Sequence, residues 1–186
     1  VQEDGCETVN SDWECFFRAR DGDSPAWHEI LERHQSRLAA LALLMTGSAA
    51  ASDDIVQETF LRAFKSRIHH RQGSVRGFLT TIAYRLALKE TQHEKRKVEL
   101  DSGSIEDRNC DPLERLLSSE RDRHIAKAIR SLDNDHRDVL TLRFYGDHSY
   151  DDIAKLMNIP IGTVKSRMFY AVKRCREHLR EKGIIE

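Results

Sequence analysis

The chain has 186 residues, 33% of them charged, with 3 prolines, 9 glycines and a formal net charge of −1. That length holds one domain or two small ones, and a composition rich in helix formers and free of long β-branched runs points to an all-α protein. The longest apolar stretch, Leu38 to Met45, falls far short of the ~20 residues a membrane span needs; no charged-then-apolar leader opens the sequence, so a cytoplasmic location is expected.

Residues 1–12 carry Glu3, Asp4, Glu7 and Asp12 with no basic residue before Arg18, and are expected to form an acidic, disordered tail. A short helix is predicted near Trp13 to Arg20. Ser24-Pro25 is a cap followed by proline at the first helical position, and Trp27, Ile30, Leu31, Leu38, Leu41 and Met45 then recur as one apolar face up to Gly47. A further start is predicted at Ser52, with Asp53 and Asp54 in the first turn, continuing through Ile55, Val56, Phe60, Leu61 and Phe64. After a polar loop around His69 to Ser74, another helix carries Phe78, Leu79, Ile82, Ala83, Leu86 and Leu88. These elements make a helical bundle over 13–97.

Between Val98 and Pro112 the periodicity stops and Asp, Ser, Gly, Asn and Pro accumulate, the composition of a flexible linker. Helical patterning resumes at Leu113, so a second small helical domain is expected over 113–186. One long helix is marked by Leu116, Leu117, Ile125, Ile129 and Leu132, and another runs from Arg137 to Phe144.

Charge is segregated along the chain. One basic block runs from Arg62 to Lys97 and another from Lys165 to Lys182, while the opening segment and the stretch from Glu99 to Asp111 are mostly acidic. Two separated cationic surfaces are the footprint of a partner that carries phosphate, although solvated helix faces also accommodate such blocks. Cys6, Cys15, Cys110 and Cys175 form no CxxC pair and are expected to be reduced thiols, with a redox role left open for Cys110. The lone Glu90-x-x-His93 spacing supplies half of what a bundle metal site requires. No metal or cofactor is expected.

The sharpest local signal lies between Ser149 and Arg174. Ser149 and Asp152 make the acidic form of a capping box, Asn158 suits a left-handed turn, and Pro160 opens a new helix. This is a helix-turn-helix. At ~100° per residue, Val164, Met168, Ala171, Val172, Cys175 and Leu179 fall on the buried side of the second helix. Gly162, Lys165, Ser166, Phe169, Tyr170 and Lys173 fall on the other. Bases, small polar groups and aromatics interleaved on a wet face suit phosphate, base edges and thymine methyls.

At these residues the chain resembles a known family. Ser149-Tyr150-Asp151-Asp152-Ile153-Ala154 followed by Ile161-Gly162-Thr163-Val164-Lys165-Ser166-Arg167 is similar to region 4 of the sigma-70 factors, and Asp53-Asp54-Ile55-Val56-Gln57-Glu58-Thr59-Phe60-Leu61-Arg62-Ala63-Phe64 resembles region 2. No region 3 fits between them, which points to the extracytoplasmic-function group of RNA polymerase sigma factors. The resemblance implies a non-enzymatic initiation subunit that binds core RNA polymerase and promoter DNA. It places Asp53, Asp54, Gln57, Glu58, Leu61 and Phe64 on the clamp helices of the β′ subunit and region 4 on the β flap. Arg67, His70, Arg71, Ser74, Arg76, Tyr84, Arg85 and Lys89 fall with the minus-ten reader. Arg143, Gly162, Thr163, Lys165, Ser166, Arg167, Phe169, Tyr170 and Lys173 fall with the minus-thirty-five reader. An anti-sigma partner is implied in the same way.

Arg85 and Lys89 stand where many members have Asn and Asp, Ala51 replaces a commonly acidic residue, and Asn134-Asp135 replaces a frequent proline pair. The minus-ten reading is the least transferable. Two other readings of the residues remain: a dimeric helix-turn-helix regulator, which leaves Asp53 to Phe64 without a role, and a metal hydrolase built on Asp53, Asp54, Glu58, His69 and His70.

Overall fold

A computed structural model describes residues 4–67, 73–100 and 120–185, and every regular element among them is an α-helix. Helices α1 (Asp4–Arg20), α2 (Ser24–Thr46), α3 (Ala49–Lys65) and α4 (Val75–Leu100) form the first domain. Helices α5 (Glu120–Arg130), α6 (Asn134–Phe144), α7 (Tyr150–Met157) and α8 (Ile161–Glu181) form the second.

Local chemistry sets most of these boundaries. Asp23 accepts the Ala26 N–H at 3.2 Å to cap α2, with Pro25 in its first turn. Gly47, at φ +74°, ends the helix in the left-handed conformation that glycine tolerates best. Ser48 then caps α3 by accepting from the Ala51 N–H. The helix therefore begins three residues before the predicted start at Ser52. Ser52 is buried and its hydroxyl donates to the Ala39 carbonyl at 2.9 Å, tying α3 to α2. Asp53 and Asp54 consequently sit in the second turn, on an exposed face.

Helix α2 is the centre of the first domain and packs against α1, α3 and α4. Trp13, Phe16, Ile30, Leu41, Leu43, Leu44 and Leu79 are closed to solvent. Phe16 stacks on Phe64 at 5.0 Å and Trp27 meets Phe64 at 4.5 Å, pairs that add ~0.5 to 1.5 kcal/mol each beyond the area they bury. The acidic stretch assigned to a disordered tail is helical from Asp4 onward. Asp12 anchors the segment by pairing with Arg33 at 2.5 Å. Helix α4 also runs to Leu100, into the stretch read as linker; residues 101–119 lie outside the described residues.

In the second domain α8 packs against α5, α6 and α7 around Ile129, Leu132, Val139, Leu142, Ile153, Val164, Met168 and Ala171. The two domains touch. Arg137 on α6 donates to the Leu44 carbonyl of α2 at 3.4 Å and to the Leu132 carbonyl at 2.7 Å. Tyr84 on α4 donates its hydroxyl to Asp138 on α6 at 3.3 Å. Gly146 fits where nothing larger would: a Cβ there would lie 2.5 Å from the Thr80 methyl and 2.7 Å from the Leu142 carbonyl.

Candidate nucleic-acid interface

The helix-turn-helix is built by short-range bonds. The Ser149 hydroxyl oxygen accepts the Asp152 N–H at 3.1 Å while the Ser149 N–H donates back to the Asp152 carboxylate. That carboxyl is held below its ordinary range chiefly by hydrogen bonding from Ser149. Asn158 takes the left-handed turn at φ +54° and Pro160 adopts the extended conformation that opens α8. The expected geometry of this segment is present in each of these details.

Along α8, Val164, Met168 and Ala171 are buried, with Cys175 and Leu179 half-buried. Val172 is a correction to the predicted stripe, being 40% exposed. It lies at the margin of the apolar face, beside the buried Ala171. On the outer face Gly162, Lys165, Ser166 and Lys173 are exposed, and Phe169 and Tyr170 show 65% and 53% of their surface. Their rings meet edge to face at 5.4 Å. Leaving two adjacent aromatics more than half exposed forgoes about 1 to 2 kcal/mol for each that full burial would return, so this face fits a partner better than it fits solvent. Thr163 is half-buried, and Arg167 turns aside to pair with Asp135 at 2.5 Å. Arg143 donates to the His148 carbonyl at 3.0 Å and stays half-exposed.

In the first domain, Asp53, Asp54 and Gln57 are exposed on one face of α3, with Leu61 half-exposed beside them. Glu58 pairs with Arg62 at 2.6 Å. Phe64 is packed among Phe16, Trp27 and Phe60, so it supports this face from within.

Of the residues assigned to minus-ten reading, Arg67, Arg85 and Lys89 are exposed and Ser74 is half-buried, its hydroxyl accepting the Gly77 N–H at 3.0 Å. His70 and Arg71, like His69, lie outside the described residues. Arg76 approaches Asp147 of the second domain at 3.9 Å. Tyr84 is 2% exposed. Burial and the adjacent Asp138 hold its phenolic proton far more tightly than usual. Burial also pushes Asp138 up to about 6, against the opposing pull of the Tyr84 hydroxyl and Arg137. A cleft of about 670 Å³ separates Arg67, Ser74 and Arg85 on one wall from Asp147, His148 and Lys155 on the other.

Sequence reasoning missed the contact between the domains, because no local pattern marks Tyr84 and Asp138 as partners. Burial pushes the thiols of Cys15 and Cys175 up to about 11, away from the reactive thiolate; Cys110 lies outside the described residues. Glu90, His93 and Glu94 come within 4.8 Å of one another on the α4 surface, and no second cluster joins them among the described residues.

Two family models match the chain: "Sigma-70 region 2" over residues 30–97 and "Sigma-70, region 4" over residues 128–177. The ECF RNA polymerase sigma-E factor of Haemophilus influenzae is 32% identical over 182 residues, covering 89% of this chain and 91% of that protein. The chain belongs to the ECF sigma factors. The sigma factor SigL of Mycobacterium tuberculosis is 33% identical, with 83% of this chain and 89% of that protein covered. Among solved structures, the sigma factor RpoE of Bartonella quintana, crystallised with the anti-sigma factor NepR, aligns at a TM-score of 0.66 and 26% identity, covering 83% of this chain and 96% of that one. CnrH, solved with the cytosolic domain of CnrY, shares the fold at a TM-score of 0.60 over 91% of this chain and 97% of that one. ECF membership makes the chain a transcription-initiation factor with no catalytic role of its own, and the all-α, two-domain expectation holds. No described helix is long and apolar enough to cross a membrane.

Proposed function

We propose that this sigma factor docks on core RNA polymerase through the α3 face of Asp53, Asp54, Gln57 and Leu61, reads a minus-ten element with the surface around Arg67, Ser74, Arg76, Arg85 and Lys89, and reads a minus-thirty-five element with α8. The observation that carries this reading is the outer face of α8, where Phe169 and Tyr170 stand exposed among Lys165, Ser166 and Lys173. Acidic and amide side chains beside an exposed leucine suit a basic, partly apolar partner helix. On α4, Arg85 and Lys89 are one turn apart and can follow a strand backbone.

Energetics assign the chain a supporting role in opening DNA. Separating about ten base-pair steps at ~1.4 kcal/mol each costs roughly 14 kcal/mol, and capturing a base returns only ~1 to 3 kcal/mol. Polymerase must supply the rest. The contact between the domains adds a condition, since Tyr84 and Arg76 face the second domain. Reading both elements requires the domains to part, and docking on polymerase is the event that parts them. RpoE of Bartonella quintana was solved with the anti-sigma factor NepR, which supports a partner of that kind here.

Selection of transcribed molecules from a random promoter library with reconstituted holoenzyme tests the reading. Two separated sequence blocks are expected. A palindrome bound without transcription would favour a dimeric regulator instead.

A further inference from the structure

Helix α1 lies outside the stretch that the region 2 family model matches, residues 30–97, yet one of its side chains is built into the loop between α3 and α4. Trp13 is 1% exposed. Its indole Nε1–H donates to the carbonyl oxygen of Gly73 at 2.8 Å, across 60 positions of sequence. The ring stacks on Phe17 at 5.6 Å and meets Phe78, in the first turn of α4, at 5.8 Å. Gly73 itself holds φ +67°, a left-handed conformation that side chains rarely adopt. The next residue, Ser74, caps α4 through the Gly77 N–H and accepts the Phe78 N–H on its carbonyl at 3.0 Å. An unbroken set of bonds thus runs from α1, through the end of the loop, to the first turn of α4. Stranding a buried indole N–H in apolar surroundings is costly, so the indole fixes where the loop re-enters the bundle.

We propose that Trp13 is a positioning residue for the minus-ten surface: through Gly73 it sets the end of the loop, and with it the placement of Ser74 and Arg76 relative to Arg67. This rests on the promoter reading proposed above. The ring is too deeply buried to stack on a base, so its effect on DNA passes through the backbone it holds.

Trp13→Phe keeps an aromatic ring in the pocket and removes only the donor. Gly73→Ala keeps every aromatic contact, meets nothing within 4 Å of its new Cβ, and strains the left-handed backbone. Trp27→Phe, at a site packed on Phe60 and Phe64, controls for loss of indole packing. Three properties are measured: hydrogen exchange at the Ser74 to Gly77 amides in the free chain, affinity for core polymerase, and affinity of the holoenzyme for the single-stranded non-template minus-ten sequence recovered by library selection. Trp13→Phe and Gly73→Ala should each speed exchange at those amides roughly three- to tenfold, the range one neutral hydrogen bond commands. Strand affinity should fall by a similar factor, with core affinity within about twofold of the original and Trp27→Phe unchanged in exchange and strand binding. Unaltered exchange at those amides in Trp13→Phe overturns the anchor. Faster exchange with undiminished strand affinity overturns its role in reading. If the unmodified holoenzyme binds no strand, the promoter reading itself falls, and the exchange measurement still decides whether Trp13 holds the loop.

Discussion

The two surfaces proposed to face DNA in this sigma factor are held in place by different means. In the second domain the recognition helix is set by bonds between near neighbours: Ser149 with Asp152, Asn158 in its left-handed turn, Pro160 opening α8. In the first, Gly73, just ahead of α4, is bonded by Trp13 from a helix far back in sequence, within an aromatic core shared by α1, α2, α3 and α4. Local bonds let this segment take its shape from a short stretch of its own sequence. A long-range anchor makes the reading surface depend on the stability of the whole bundle.

The largest expected effect follows from that dependence. Phe16→Ala removes a fully buried ring stacked on Phe64 and should cost ~3 to 5 kcal/mol of stability. A thermal melt should then show the first domain unfolding well before the second; a single undivided transition would mean that the two surfaces share one cooperative unit. Next in size, Lys165→Ala or Phe169→Ala should weaken minus-thirty-five binding by ~1 to 3 kcal/mol without change in core-polymerase affinity, measured by promoter titration and core binding in parallel. Equal loss of both would erase the division between the surfaces.

The contact between the domains offers a third test, through pH. Asp138, packed against Tyr84 and Arg137 with Asp135 and Arg167 nearby, titrates at about 6 instead of its ordinary 3.8. The closed arrangement therefore holds this proton more tightly than the parted one. Its stability should be fully present below pH 3.8 and decline as pH rises through 6. Across pH 5 to 7 the closing equilibrium should weaken roughly tenfold, read by energy transfer between dyes on the two domains. Asp138→Asn should abolish that dependence. Buried His34 works in the opposite sense: burial brings it down to about 4, so the first domain loses stability as pH falls from 6.5 toward 4. The smallest effect is at α3, where joint Asp53→Asn and Asp54→Asn changes should weaken core binding about three- to tenfold, as exposed charge pairs do, with the melting temperature unchanged. Unchanged affinity would remove this face from polymerase docking.

What the sequence made legible follows the same division. The capping box, the turn and, apart from Val172, the buried stripe of α8 were readable because each signal spans a few residues and one helical period. The exposed α3 face was readable for the same reason, though its helix start was misplaced: Ser52 has the chemistry of a cap, and only the packing of α3 on α2 shows that its hydroxyl serves Ala39 instead. The partners of Tyr84 and Trp13 were beyond such reading. A tyrosine on a basic helix looks like a DNA contact until a second domain is seen against it, and a tryptophan near an acidic terminus gives no sign that it reaches Gly73.

Two helical modules are proposed to serve one DNA site while bound to one polymerase. Purified chain should co-elute with bacterial core polymerase at low salt and drive run-off transcription from a selected promoter, with duplex binding that falls on a log-log salt slope near −0.9 per phosphate contact. Failure to associate with core polymerase, or association without promoter-dependent initiation, would contradict it.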